Sequence, residues 1–325
     1  LRPDEDSPSG WGPPSRLLSE LTTLGLLGRS AVAPALLAAA PRSGLLVLED
    51  VAGAAGLHSL LLAPDPVPAE AALLDLAATL GRLHAAGRAL VPEHRRARDR
   101  LAPLRIPYSK AFRGMVEPDG FAAVLARACA AVDVRPSAAA VAELEALRRF
   151  WDEPGPFLTL LHGDVCPDNF LWTEDGGGRL VDFEFSAPGH ALADAAFARL
   201  GFPACWCAGR LPEPLVERME QAYRRELPAM DDAVFTAGMA EAYAFWALGA
   251  LSWALPRALD ADEGWGETPL RQRIVSQLET AAGLAVHHGR LEALGAAYAA
   301  LAARLRERWG PALEVSLFPA FRSGA

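Results

Sequence analysis

Between Phe157 and Ser186 the chain reads FLTLLHGDVCPDNFLWTEDGGGRLVDFEFS. An apolar run, Phe157-Leu158-Thr159-Leu160-Leu161, delivers His162-Gly163-Asp164, and Asn169 follows five positions after the aspartate. A second apolar segment, Phe170-Leu171-Trp172, enters Asp175-Gly176-Gly177-Gly178, a turn composition. A third, Leu180-Val181, ends at Asp182-Phe183-Glu184. Two β-like segments around a glycine turn predict a hairpin. Its polar residues then fall at segment ends, where a sheet edge presents them to a ligand.

Asp164 and Asp182 are hard oxygen ligands or bases, and Asn169 adds a neutral carbonyl oxygen. Mg2+ is typically held by one or two carboxylates together with substrate phosphates. Phosphoryl transfer needs an aspartate to orient the attacking hydroxyl and accept its proton, with an Asn and a second Asp on the metal ions. The protein-kinase catalytic loop sets its Asn five residues after its base, and an Asp-Phe-Gly strand end follows. The plain alternative, a surface hairpin with solvated carboxylates, accounts for neither the spacing nor the apolar flanks.

HGDVCPDN followed by LVDFE resembles the aminoglycoside phosphotransferase and choline kinase-like family, which shares the protein-kinase fold. The resemblance implies Asp164 as catalytic base, Asn169 and Asp182 as Mg2+ ligands, and His162 as a support for the loop. Asp194, in a short helix expected over Ala191 to Leu200, is implied to be a structural acid that fixes the same loop. Glu184 stands where protein kinases carry Gly, as in many members of the family. Asp168 falls where the family often has Gly, a departure expected to leave the chemistry untouched.

The implied fold is α+β, a protein-kinase-like two-lobed arrangement. Residues 1–52 would form an incomplete small β-containing N-terminal lobe and hinge. Residues 53–325 would form a large, mainly helical C-terminal lobe carrying the catalytic hairpin and the acceptor-binding helices. Ser15 to Leu27 has Leu17, Leu18, Leu21 and Leu24 at helical spacing, and Glu20 matches the family's glutamate partner of a phosphate-contacting basic residue. Arg2 falls about where that basic residue belongs. A solvated helix glutamate is the other reading of Glu20. In the family two strands and a phosphate-covering loop come before the basic residue. No Gly-rich loop of the G-x-G-x-x-G or Walker type occurs elsewhere in the sequence, so the expectation is either a chain lacking the first part of its small lobe or a longer protein. Gly44 to Val51 is a continuous apolar strand resembling the one that leads into the hinge, where backbone groups bind adenine. Glu49, Asp50 and Val51 are the candidates there.

The resemblance thus implies ATP or GTP as co-substrate, Mg2+, and a small hydroxylated acceptor. Two other readings stand beside it: a catalytically impaired pseudokinase that binds a nucleotide or a partner, and a metal-dependent hydrolase using His162, Asp164 and Asp182, which is short of histidine.

The net charge of -9 argues against nucleic acid, whose binding depends on neutralising phosphates, and is compatible with a cationic acceptor. No uncharged apolar run of eighteen residues is present, so no membrane span is expected; the N-terminal residues show no signal pattern. Four cysteines at this length suggest buried or free thiols rather than a disulfide framework, and with them a cytoplasmic setting.

Further helices are expected over Ala69 to Ala86, ending near Gly87, and over Asp119 to Val132 and Ser137 to Phe150, with Ser137 as N-cap. Others span Glu213 to Glu226, Asp231 to Leu255 with Asp231 as N-cap, Pro269 to His288, and Leu291 to Trp309. Pro92 to Arg113 reads as a basic solvated loop, and Ala187 to His190 as a turn. The family builds its acceptor pocket from the last helices. Acids such as Glu241, Asp262 and Glu267, with Tyr243, Trp246 and Trp265, are candidates to hold an amine by ion pairing and cation-π contact; solvated faces and core packing are the ordinary alternative.

Overall fold

A computed structural model describes residues 13–101, 120–174, 177–262, 264 and 266–322. Arg2, Glu263 and Trp265 lie outside the described residues. In chain order the elements are α1 (Pro13–Leu27), β1 (Leu36–Ala40), β2 (Leu45–Leu48), β3 (Ala55–Gly56), α2 (Leu57–Leu62) and α3 (Pro66–Leu101). There follow α4 (Gly120–Ala131), α5 (Ala138–Asp152), β4 (Leu158–Leu161), β5 (Phe170–Thr173), β6 (Gly177–Leu180), β7 (Ala187–His190) and α6 (Ala191–Ala195). The chain ends in α7 (Glu213–Glu226), α8 (Asp232–Trp253), α9 (Leu255–Asp260), α10 (Leu270–His288) and α11 (Glu292–Trp309). The class is α+β: helices predominate, and the strands form three small antiparallel sheets, β1-β2, β3-β5-β6 and β4-β7.

The predicted hairpin is β5-β6, paired from Phe170 opposite Leu180 to Thr173 opposite Gly177. Gly177 and Gly178 belong to the strand, not to the turn. The reason is steric: a Cβ on Gly178 would lie 1.8 Å from the Phe170 ring, so only glycine lets that fully buried ring cross the strand. Ala187–His190, expected as a turn, is strand β7, paired with β4 from Leu158 opposite His190 to Leu161 opposite Ala187. Its Pro-Gly composition reads locally as a turn, and the partner strand is too distant in sequence to be seen.

Helix α3 overruns both of its predicted boundaries. Gly87 does not stop it; a Cβ there would meet Thr159 Oγ1 at 2.6 Å, so the glycine serves close packing of the helix on β4. Thr159 Oγ1 donates to the His84 carbonyl at 2.7 Å across the same contact. Pro92 is accommodated within the helix. Beyond it His94 and Arg98 are buried, so the described part of the expected solvated loop is helix packed on the core.

Ser137 caps α5 by accepting from Ala140 N–H, and Asp231 caps α8 by accepting from Ala233 and Val234 N–H, as the sequence predicts. Helix α8 is long and apolar enough to cross a membrane by length and composition, but 72% of its most apolar window is buried inside the protein. It is the central core helix. Its polar handles are satisfied internally: Trp246 Nε1 donates to Ala193 O at 2.7 Å, and Tyr298 of α11 donates to Ala244 O at 2.9 Å. Tyr243, Phe245 and Trp246 are buried, and Tyr243 also lines a cavity with Arg199, Glu220 and His288.

Two further expectations are corrected. The strand expected over Gly44 to Val51 is only Leu45–Leu48, and it lies in a two-stranded ribbon with Leu37, Leu45 and Val47 exposed. Cys166 and Cys205 are joined by a disulfide, leaving Cys129 and Cys207 as free buried thiols. The inference of a reducing compartment loses half its cysteines with that bond.

Candidate active site

The site is built from below. Strand β4 ends at Leu161, and the chain turns through His162 and Gly163 into Asp164. Gly163 has φ 84°, and a Cβ there would lie 2.4 Å from the Phe185 carbonyl; a side chain at this bend would be strained and would also clash. The bend is fixed by Asp194 on α6, whose Oδ2 accepts from His162 N–H at 2.7 Å and Gly163 N–H at 3.4 Å. His84 Nε2 lies 3.2 Å from the same oxygen, and His84 Nδ1 lies 2.8 Å from the Tyr223 hydroxyl. With a carboxylate facing Nε2, that nitrogen carries the hydrogen and Nδ1 accepts from the tyrosine. Burial and Asp194 hold the Tyr223 hydroxyl well above its ordinary pKa, so it stays a donor. Asp194 Oδ1 has no partner among the described residues.

His162 is the second brace. Its Nδ1 accepts from Asp164 N–H at 3.2 Å and its Nε2 donates to Val181 O at 2.9 Å. Both bonds require the neutral ring, and complete burial pushes its pKa down accordingly. One histidine thus ties the loop bearing Asp164 to the strand end bearing Asp182. Val181 N–H also donates to Asn169 O at 3.0 Å.

Asn169 closes the loop. It sits at the end of the 3-10 turn Pro167–Asn169 and is buried. Its Nδ2 donates to the Asp164 carbonyl and to Asp164 Oδ2, both at 3.0 Å. That orientation leaves the amide Oδ1 as its remaining acceptor. Asp182 has φ 63°, the left-handed region, where a non-glycine residue stores strain that clusters at functional positions.

The mouth of the site is crowded with acid. The carboxyl of Asp164 is pushed up to about 7, first by burial and then by Asp182 and Asp168, against the hydrogen bond from Asn169. Glu20, on α1, is also raised to about 7 by burial, Asp182 and Glu184. Glu184 is raised by burial and Asp182 and is lowered by Arg16, which it meets at 3.1 Å. The sequence reading of Glu20 as a site residue places it here, beside Asp182 and Glu184, rather than on a solvated face. Arg16, one helical turn before Glu20, was not anticipated; the i, i+4 spacing on α1 was the available signal. Helix α1 is further seated by Thr23 Oγ1, which donates to Ser186 Oγ at 2.9 Å, which in turn donates to Leu161 O at 2.7 Å.

Asp168 was expected to be incidental. Its Oδ2 instead accepts from Trp206 Nε1 at 2.9 Å, and its Oδ1 is buried without a partner among the described residues. Of the hinge candidates, Glu49 and Asp50 are exposed. The Glu49 carboxylate and carbonyl-facing N–H are both committed to Ala35, at 3.1 and 2.9 Å, and Val51 C=O accepts from Ala54 at 3.2 Å.

The donor set of Asp182, the Asn169 amide oxygen and a crowd of mutually repelling carboxylates suits a hard divalent cation. No three His, Cys, Asp or Glu side chains converge as a metal cluster among the described residues. A cation held by one carboxylate, one amide oxygen and the phosphates of a substrate requires no such cluster.

The family model of phosphotransferase enzymes matches residues 6–233, more than half of the chain. The chain belongs to that family. No curated protein matches it. Among solved structures, a choline kinase from Streptococcus pneumoniae is 15% identical, with 83% of this chain and 80% of that one covered and a TM-score of 0.41. An ethanolamine kinase from Plasmodium vivax is 12% identical, with 88% and 71% covered and a TM-score of 0.45.

Proposed function

We propose that this member of the phosphotransferase enzyme family is a small-molecule kinase that moves the γ-phosphate of ATP or GTP onto a hydroxyl of a small acceptor. The observation that carries the reading is the loop from Asp164 to Asn169: the Asn169 amide donates to the Asp164 carboxylate, and Asp182 is close enough to raise the proton affinity of that carboxylate. Asp164 is the base. It orients the acceptor hydroxyl and takes its proton as the new O–P bond forms and the bond from the γ-phosphorus to the bridging oxygen breaks. A carboxyl poised near neutral pH is effective in that role.

Asn169 and Asp182 would hold Mg2+, which when bound neutralises charge on the phosphates. Cation binding would also relieve the repulsion among Asp164, Asp182, Glu184 and Glu20, so the mouth is a pre-formed demand for positive charge. A cationic, amine-bearing acceptor answers the same demand. The nucleotide base would lie toward residues 49–51. There Glu49 N–H and Val51 C=O are already engaged, leaving Glu49 C=O, Asp50 and Val51 N–H to meet an adenine or guanine edge. Residues 1–52 would make up the nucleotide-side lobe, and residues 53–325 the helical lobe.

A mass-shift screen over amino alcohols, sugars and aminoglycosides with Mg-ATP and Mg-GTP tests the reading, with Asp164→Asn as control. Phosphorylated product from the wild type alone is the expected result. Tight Mg-nucleotide binding with no transfer to any acceptor would replace it with a non-catalytic nucleotide-binding role.

A further inference from the structure

Between the proposed base and the proposed metal ligand sits Cys166, and it is covalently bound to Cys205, 39 residues on. Cys205 lies in a short irregular segment between α6 and α7 that is anchored to the helical body. Arg273 of α10, itself buried, donates to Pro203 O at 3.2 Å, Cys205 O at 2.5 Å and Thr268 O at 2.7 Å. The neighbouring Trp206 reaches back to Asp168 at 2.9 Å. On the other side, Cys166 O accepts from Asn169 N–H at 2.9 Å. A continuous path therefore runs from α10 through Arg273, Cys205 and the sulfur bridge to the backbone that aims Asn169 and Asp164.

We propose that the Cys166–Cys205 bond is a positioning element of the catalytic loop and a site of reversible thiol–disulfide modification, its cleavage lowering turnover. The inference rests on the kinase reading for its effect on rate, though not for its effect on the loop. On its outer side the loop is held by this bond and by the Trp206–Asp168 hydrogen bond. With the bond cut, the loop keeps its inner braces, His162 and Asp194, and loses its covalent outer one. Displacement of a reacting group by about 1 Å costs on the order of a hundredfold in rate.

The exchange partner is a small dithiol. Its thiolate attacks one sulfur of the bridge and displaces the other as a thiolate, which takes a proton; the second thiol of the reagent then closes on the mixed disulfide and releases the remaining cysteine. Two electrons and two protons pass to Cys166 and Cys205, and the reagent leaves as its cyclic disulfide. Cys166, 8% exposed against 2% for Cys205, is the less buried half of the bridge. The nearby free thiol, Cys207, does not compete: burial and the charge of Asp168 push it up to about 12, and only a thiolate exchanges.

The test uses the full chain purified without reductant, before and after dithiothreitol, and after re-oxidation with oxidised glutathione. Peptide mapping of alkylated protein gives the state of each cysteine, and amide hydrogen exchange reads the loop. Reduction should speed exchange about tenfold or more in residues 164–170 and 203–207 while leaving α10 and α11 unchanged. It should lower kcat about tenfold with the KM for nucleotide within about threefold, and re-oxidation should restore both. The Cys166→Ser/Cys205→Ser double variant should match the reduced wild type and ignore reductant. A free Cys166 in the unreduced protein, unchanged exchange on reduction, or a global rise in exchange with KM and kcat falling together would each overturn the proposal. If exchange changes as expected and the oxidised protein phosphorylates nothing, the positioning bond stands and it is the kinase reading that fails.

Discussion

The floor of the site and its mouth are made from the same residue types and handle charge in opposite ways. At the floor, Asp194 is surrounded by donors: two backbone N–H groups and His84, itself backed by Tyr223. At the mouth, Asp164 has one donor, the Asn169 amide, and faces Asp182, Asp168 and Glu184, all raising its affinity for a proton. Buried charge is tolerable when it is hydrogen-bonded and costly when it faces its own sign. The floor is where the fold is stabilised. The mouth is where the fold accepts instability, to be relieved by whatever positive charge arrives.

The contrast can be broken most sharply by changing one carboxylate in each place. Asp164→Asn should reduce phosphoryl transfer by about a hundredfold to ten-thousandfold, with nucleotide affinity, measured by calorimetry, within a few-fold of wild type. Asp194→Ala should act on stability instead. It strands three donors in a closed interior, at about 3–5 kcal/mol, measurable as a lower urea midpoint, with activity lost in proportion to unfolding. Should Asp194→Ala leave stability untouched, the division between floor and mouth is wrong.

A finer test uses pH in the presence of a chelator. Asp164 and Glu20 are raised to about 7 in the folded protein, well above the ordinary carboxyl range near 4 that they would have unfolded. Between pH 4 and 7 the folded state therefore holds more protons than the unfolded state. The stability these groups allow at low pH is lost as pH rises toward 7, by roughly 3–4 kcal/mol for Asp164 and less for Glu20, whose partial exposure screens it. Thermal melts of wild type should fall over that window. Asp164→Asn should melt higher than wild type at pH 8 and equally at pH 4, and Mg2+ with nucleotide should close the gap. The smallest effect belongs to Arg16, partly exposed against Glu184 and lying 4.9 Å from the Phe185 ring centroid. Arg16→Ala should cost under about 1 kcal/mol, while raising the apparent pKa of Glu184 in a carboxyl-resolved NMR titration.

The mouth was legible in the sequence and much of the floor was not. Asp164, Asn169 and Asp182 carry their spacing within a single stretch, so the resemblance that proposes roles for them was visible before any fold was known. Glu20 could be placed on a helix, and its proximity to Asp182 follows only from how α1 docks. The partners of Asp194 come from α3 and α7, and nothing local in His84 or Tyr223 marks them. The bond from Cys166 to Cys205 was missed for the same reason: pairing of thiols depends on where two loops meet. Gly87, Gly178 and Pro188 misled because glycine and proline were read as punctuation. In the fold two of them are small because a neighbour needs the space, and the third sits in a two-stranded edge pairing that tolerates its missing N–H.

Helix α3 has a mechanical consequence that follows from its unbroken length. It lies against the hairpin at Asp75, near Gly177, and against β4 at Gly87, while His84 between them reaches the α6 carboxylate. Strand, hairpin and carboxylate are thus registered on one beam, and a tilt of that beam would carry Asp164 and the strand end bearing Asp182 along as a unit. Changes along its outer face would then retune the spacing of the acidic mouth without altering any of the acidic residues themselves.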